Sequence, residues 1–471
     1  MLVAVLQLKH ATMKIPKRDI CSNASAFPKI QTEEQSQLTS FAGIQIYSQL
    51  FASFGLKDRM RRCTCHLSAT SQYAPGSILF LLITHIILGF SRLRDVNCYK
   101  KDPLVKRFLG MNFIPSASTV SRVLASVDSN TADMMVKVVE SIPLQRLRDL
   151  KIKRVTIDFD GSITTTNGHL EGTAVGFNPK KKGQRSYYPL FATIPQLGQV
   201  LSVRHRSGNV HDSNKAAEFM AYVVKLVRAA LPDAIIEVRA DSAFYSDKII
   251  ETLEKLEVEF TISVPFERYA NLKAVIESRK RWRRINADFS GFDLRWKADS
   301  WKQKRRFLFV KKKTKKQRKG PIQLDLFIPH EEGYEFTAIV TNKKEQISSA
   351  VIFHHGRGGQ EKMFAELKNG TRIDYLPCRK EAGNRVFMLC NILAHNLSRG
   401  LQIQNEKPQR KADDAKRPCL WIVESLSTLR KNVIAKAGRI TRPAGILTLT
   451  IPKDGVIEEM LRKFAPKEAF S

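Results

Sequence analysis

The sequence predicts a mixed α/β fold, and three observations carry that reading. A long stretch with helical spacing of apolar residues runs up to about residue 150. At Lys153 the pattern changes to period two. From there short apolar strands alternate with helical segments, and two of the strands end in an aspartate.

In chain order, residues 1–36 are polar and lack periodicity, which predicts a flexible basic arm carrying Lys9, Lys14, Lys17 and Arg18. Residues 37–150 read as a helical domain suited to DNA binding. Within it, the apolar run Gly76 to Phe90 contains Thr84 and His85 and falls short of the ~20 residues of a membrane span, so it reads as a buried helix. Pro115 followed by Ser118 or Thr119 marks a helix start, with Val120, Val123, Leu124 and Val127 on one apolar face. Arg122 falls on the polar face, equally suited to solvent and to a phosphate.

Residues 151–265 carry the alternating pattern. Val155, Ile157 and Phe159 face one side of a strand, and Thr156, Asp158 and Asp160 the other. A Gly- and Lys-rich stretch, Gly176 to Gly183, leads to strands at Leu190–Ile194 and Val200–His205, joined around Gly198 as a hairpin. A helix opens at Asp212 or Ser213 and runs to about Ala230. The strand Ile235–Ala240 ends at Asp241, and residues 257 to 264 make one more. Residues 266–345 then read as a β-rich, strongly basic insertion with Trp282, Trp296, Trp301 and the run KKKTKKQRKG from Lys311 to Gly320. Over residues 346–471 a helical pattern resumes near Ser348 and continues through Arg399. A polar stretch from about Gln404 to Pro418 precedes a last helix, Trp421 to Ala437, and a closing pair of short strands.

The charge balance points to the partner. The 78 Lys and Arg against 45 Asp and Glu give a net charge of +33 over 471 residues, more than solubility needs and fitted to a polyanion such as double-stranded DNA. Seven scattered cysteines suit a reducing compartment rather than a disulfide framework, and Cys63, Cys65 and His66 lack a second ligand pair at zinc-site spacing. With no secretory cleavage pattern and no membrane span, the expected location is the cytoplasm.

Phosphodiester chemistry on DNA needs an activated attacking oxygen and a stabilised leaving oxygen, which two divalent ions about 3.5–4 Å apart supply when carboxylates hold them. Mg²⁺ takes oxygen ligands and keeps several waters, so three acids from distant segments suffice. Asp160, followed by Gly161 and Ser162, and Asp241, followed by Ser242, both emerge where strands end; Asp158 shares the face of Asp160. Acids at strand ends are also common as solvated caps. In HHGRGGQEKMFAELKNG, Arg357, Glu361 and Lys368 fall at i, i+4 and i+11, within about 40° of one another on a helix. Met363, Phe364 and Leu367 turn inward, and Glu366 points about 140° from Glu361, so Glu361 is the preferred third acid.

Together, TIDFDGS, GFNPKKKGQRSYYPL, RSGNVHDSN, VRADSAFY and the final R-x3-E-x6-K resemble the DDE-domain (group 1) transposases of bacterial insertion sequences, over about residues 38 to 455. The branch is the one with a Tyr-x2-Arg-x3-Glu-x6-Lys signature. The resemblance implies an RNase H-like catalytic core with a β-rich insertion before the glutamate helix. It also implies cut-and-paste cleavage and strand transfer at terminal inverted repeats, by a homodimer on DNA. Asp160, Asp241 and Glu361 become the ligands of Mg²⁺ or Mn²⁺, expected as two ions. Asp160 is favoured over Asp158 because an Asp-Gly-Ser turn also follows the first strand of ribonuclease H. His354 stands where the signature has Tyr, and its imidazole still offers a phosphate contact beside Arg357 and Lys368. Lys180, Lys181, Lys182 and Arg185, and the Lys311 to Lys319 run, are phosphate-gripping candidates. In the family an aromatic of the insertion stacks on a base displaced during hairpin formation, a role open to Trp296 or Trp301. Two rivals remain. One is an inactive, transposase-derived DNA-binding protein. The other is a haloacid-dehalogenase-type phosphatase, in which Asp158 of TIDFDGS is the nucleophile.

Overall fold

A computed structural model describes residues 37–67, 72–176, 178, 181–210, 215–313, 334–404, 406–410 and 419–464. The arm read over residues 1–36, Lys180, the helix start at Asp212 or Ser213, and the basic run from residue 314 onward lie outside the described residues. Six helices come first: α1 (Tyr47–Ser53), α2 (Leu56–Cys63), α3 (Pro75–Leu88), α4 (Pro103–Leu109), α5 (Ala117–Ser126) and α6 (Ser129–Asp149). The α3 helix has Pro75 in its first turn, ends at Gly89 with φ 104°, and is apolar all round, so it lies inside the bundle. No helix among the described residues is long and apolar enough to cross a membrane. The α5 helix is capped by Ser116, ahead of the predicted Ser118 or Thr119, and buries the expected Val120, Val123, Leu124 and Val127.

The main sheet is built from β1 (Arg154–Gly161), β2 (Leu190–Ile194), β3 (Gln199–Arg204), β4 (Ile235–Ala240), β5 (Glu259–Val264), β6 (Arg283–Arg284), β7 (Phe289–Trp296), β8 (Arg305–Lys313) and β9 (Tyr334–Thr341). Across its nine strands the order is β6-β7-β8-β9-β5-β4-β1-β2-β3. β1 pairs parallel with β4 and β4 with β5; on the other side of β1, β2 runs antiparallel to it, and the chain turns at Gly198, φ 62°, into β3, which is antiparallel to β2. That five-strand core is RNase H-like. The insertion strands β6–β9 extend the same sheet outward from β5 by antiparallel pairing. The insertion also opens with a helix, α9 (Ala270–Glu277), which its strand-like sequence did not suggest.

Alternation puts Val155, Ile157, Phe159, Val238 and Phe260 on one face, packed with α7 (Ala216–Ala230) and α8 (Asp247–Lys255). On the other face, Leu308, Val310 and Ile339 pack with Ile347, Ala350 and Val351 of α10 (Ile347–His355). The α1–α6 bundle shares one apolar core with α12 (Glu381–Ile403), which is buried on nearly every side and gives that core Val386, Phe387, Leu389, Ile392, Leu393 and Leu397. The last predicted helix is shorter than its pattern. Trp421 is buried with its indole N–H donated to Glu406 O, which holds the chain extended there, and α13 (Leu426–Leu429) starts only at the Ser425 cap. The closing strands, Gly438–Thr441 and Thr448–Thr450, pair with each other, Gly438–Thr441 pairs on its other side with Leu38–Thr39, and α14 (Gly455–Phe464) follows them.

Burial holds His85, His205 and His395 down at about 4, below the ~6.5 of an exposed imidazole. Their folded values are depressed, so the unfolded chain binds protons first and stability falls as pH drops from about 6.5 toward 4. Each histidine should therefore cost about 2 kcal/mol between pH 7 and pH 5. Urea unfolding of the parent and of His395→Gln at both pH values checks this: the parent should lose about 2 kcal/mol more than the variant, and equal losses contradict it.

Candidate active site

The site begins with a strand register. Asp158 lies opposite Arg239 and Phe159 opposite Ala240, so Asp160 and Asp241 leave neighbouring parallel strands side by side, on the face of Asp158 and Arg239. Asp241 continues the strand in extended conformation and caps the turn Ser242–Phe244, its Oδ1 accepting from Ala243 N at 2.9 Å. Asp160 Oδ1 accepts from Gly161 N at 2.8 Å. A Cβ at Gly161 would lie 2.6 Å from the Tyr188 ring, so only glycine lets that ring close over the chain beside Asp160. Arg206 stacks on the same ring at 5.3 Å.

The helical segment that carries the signature covers this face. The helical pattern that resumes near Ser348 opens as four successive pieces: α10, a 3-10 turn at Gly356–Gly358, α11 (Gly359–Glu366) and a π turn at Leu367–Thr371. Glycines at 356, 358 and 359 weaken the helix where the turn tightens. The uniform 100° phasing from Arg357 to Lys368 therefore does not hold. Arg357 sits in the 3-10 turn with Nη1 3.9 Å from Asp160 Oδ2. Glu361, one turn on, is exposed, and Lys368 is half-buried in the π turn. Met363, Phe364 and Leu367 are buried, with Phe364 edge-on to Phe191 at 5.1 Å. The Glu366 carboxylate is committed to Arg399 and to Leu426 N, a structural duty.

His354 is corrected as a DNA contact. It is 6% exposed, with Nε2 2.8 Å from Ser263 Oγ and Nδ1 3.0 Å from Thr261 Oγ1, so both ring nitrogens serve the sheet. Burial, with Arg357, His355 and Arg239 nearby, pushes its pKa well below the usual value and keeps it neutral. Trp301 is likewise 6% exposed, packed among Tyr245, Trp296 and Phe307 with the Arg305 guanidinium 4.8 Å over its ring, and offers no open face for stacking. Trp296 is half-buried against Tyr269 and Phe307. Arg185 turns inward, bonding Thr173 Oγ1 and the Thr173 carbonyl, whereas Lys181 and Lys182 are exposed on the preceding loop.

Asp158 is fully buried, and both of its oxygens accept from Arg239, at 2.6 and 2.8 Å. Burial raises its pKa, against the pull of Arg239. A carboxylate so enclosed has no path to a phosphate ester, which removes the basis of the phosphatase reading. At the far end of the strands, Glu237, Glu259 and Glu345 offer the one three-acid group among the described residues with oxygens within 4.8 Å of one another. The Lys343 ammonium, 1% exposed, already donates to all three, so a lysine occupies the cation position. Asp160, Asp241 and Glu361 stand further apart than that. As a donor set, three carboxylates from three segments at an accessible sheet end suit a hard divalent ion. Beside Asp241 opens a cavity of about 500 Å³ lined by Ser242, Ser263, Arg268, Phe336, His355 and Arg357.

Sequence reasoning missed Arg239, Gln360 and Tyr188. The alternation in VRAD does put Arg239 on the face of Asp241, but its partner depends on a strand pairing that one strand does not reveal.

Compared with known proteins, residues 27–467 match the family model described as transposase DDE domain, group 1. No curated protein matches the chain. Among solved structures, the piggyBac transposase synaptic complex with hairpin DNA aligns over 90% of this chain and 88% of its own, at 11% identity and a TM-score of 0.39. The Mos1 transposase paired-end complex with the left transposon end aligns over 41% of this chain and 60% of its own, at 10% identity and a TM-score of 0.18.

Removing one partner of a buried ion pair leaves the other charge uncompensated. Arg239→Ala should therefore lower stability by about 3–5 kcal/mol, read by urea unfolding, while Arg357→Ala at the half-exposed pair should change it by less than about 1 kcal/mol. Equal effects would contradict this.

Proposed function

The chain belongs to the transposase DDE domain family, group 1, and from that premise we propose that it cuts and joins DNA at the ends of a mobile element, using divalent metal held by Asp160, Asp241 and Glu361. The observation that carries the reading is the pairing of β1 with β4, which sets Asp160 and Asp241 abreast beneath the segment bearing Glu361. Bound Mg²⁺ or Mn²⁺ would activate the attacking oxygen and stabilise the leaving one.

The chain's own residues supply the rest. Arg357 and Lys368 flank Glu361 in sequence and are suited to hold phosphates of the DNA end; Arg357 also borders the cavity beside Asp241. Lys181 and Lys182, exposed on their loop, extend the basic surface along the duplex. Trp296 is the remaining aromatic candidate for stacking on a displaced base. The substrate is double-stranded DNA carrying the element's terminal repeats, gripped by two copies of the chain.

Asp241→Asn keeps the side chain's size and removes the charge that a cation requires. Cleavage of a labelled element end in Mg²⁺ or Mn²⁺ should fall by more than the roughly 100-fold typical of losing a supporting residue at a metal site, while binding of that end survives. Cleavage in the presence of chelator, or a fully active variant, rules the chemistry out. Binding without cleavage by the parent itself would favour an inactive DNA-binding descendant.

Arg357→Gln and Lys368→Gln should each leave circular dichroism unchanged and reduce the slope of log affinity against log salt by about 1, as expected for one lost phosphate contact. Unaltered slopes would make both residues part of the solvated surface.

A further inference from the structure

We propose that Arg239 and Gln360 are positioning residues that set the spacing between Glu361 and the two strand-end aspartates, and so govern how tightly the three acids hold a divalent ion. The proposal rests on the metal reading above and concerns two residues outside the triad.

Arg239 divides its donors between two elements. Nε and Nη2 hold Asp158 of β1, and Nη1 donates to Phe353 O at 2.8 Å, in the last turn of α10 just before the 3-10 turn with Arg357. The Phe353 ring also lies 5.0 Å from this guanidinium and 4.3 Å from the Lys343 ammonium. Gln360 makes the second tie. Its amide donates to Asp158 O at 3.2 Å and to Thr193 Oγ1 at 3.1 Å, fixing α11 over β1 and β2 at the residue next to Glu361. The two ties bracket the segment that contains Arg357 and the glycines, the part least able to hold its own geometry. Gln360 is 1% exposed, and its Oε1 has no hydrogen-bond partner among the described residues. Stability alone would be served as well by an apolar side chain of similar volume, without a buried unpaired oxygen. What the amide adds is direction.

The test is Mn²⁺ binding by the full-length chain, followed as loss of the free-ion electron paramagnetic resonance signal, in the parent, Gln360→Met, Arg239→Lys and Asp241→Asn. Circular dichroism and gel shift on an element end report fold and DNA binding. Gln360→Met and Arg239→Lys should fold and bind DNA as the parent does, and should raise the half-saturating Mn²⁺ concentration by about tenfold, the scale of a supporting residue at a metal site. Asp241→Asn should weaken Mn²⁺ more than either. A folded Gln360→Met with parental Mn²⁺ binding overturns the proposal, and so does a Gln360→Met that fails to fold, since the residue would then act on stability. If Arg239→Lys fails to fold, Gln360→Met decides alone. Parental Mn²⁺ binding by Asp241→Asn would sink the metal reading itself, whereas a shift in Asp241→Asn with none in Gln360→Met sinks only the positioning role.

Discussion

The ion pair between Asp158 and Arg239 fixes the register of the two central parallel strands, and everything at the candidate site follows from that register. Both groups are almost fully enclosed, so any arrangement that parts them leaves a bare charge in the interior, at a cost of several kcal/mol. A slip of one residue would also turn Asp158 and Asp160 toward the apolar layer of α7 and α8 and bring Phe159 to the other side. With the pair made, the next position on the same face of each strand is an aspartate, Asp160 after Asp158 and Asp241 after Arg239.

A second ionic row at the opposite end of the strands does the same for the insertion. Lys343 follows β9, and its ammonium meets Glu237 of β4, Glu259 of β5 and Glu345, while Arg154 of β1 closes the row against Glu237. Burial pulls Lys343 down, but hydrogen bonds to Glu237 and Glu259 outweigh it and hold its pKa above the ordinary value, so it remains a cation. The end of the insertion is thereby pinned to the core, and α10 starts four residues later from a fixed point. Its first turns bury Ile347, Ala350 and Val351 on the insertion strands. The insertion is thus part of the platform on which the glutamate segment rests.

Much of this was legible in the sequence where local pattern and tertiary environment agree. The strand Ile235–Ala240 was bounded correctly because its apolar run ends sharply at Asp241, and the β2–β3 hairpin was located, with its second strand one residue earlier than read, because Gly198 supplies the left-handed turn. The preference for Glu361 over Glu366 rested on helical phase; what now separates them is that Arg399, from a distant helix, engages Glu366. Long-range contacts account for the failures. His354 reads as an available imidazole until Thr261 and Ser263 are seen beneath it, and Trp301 as a stacking surface until Arg305 covers it. The helix break at Gly356–Gly358 was foreshadowed by its glycines, yet the π turn after Glu366 has no comparable signature.

The most direct test of the account is where a divalent ion binds. Crystals of the chain with an element end, grown in Mn²⁺ and measured for anomalous scattering, should show density between Asp160, Asp241 and Glu361, at the ends of β1 and β4, with Lys343 still filling the cluster of Glu237, Glu259 and Glu345. Anomalous density at that glutamate cluster, with none at the strand-end aspartates, would contradict it.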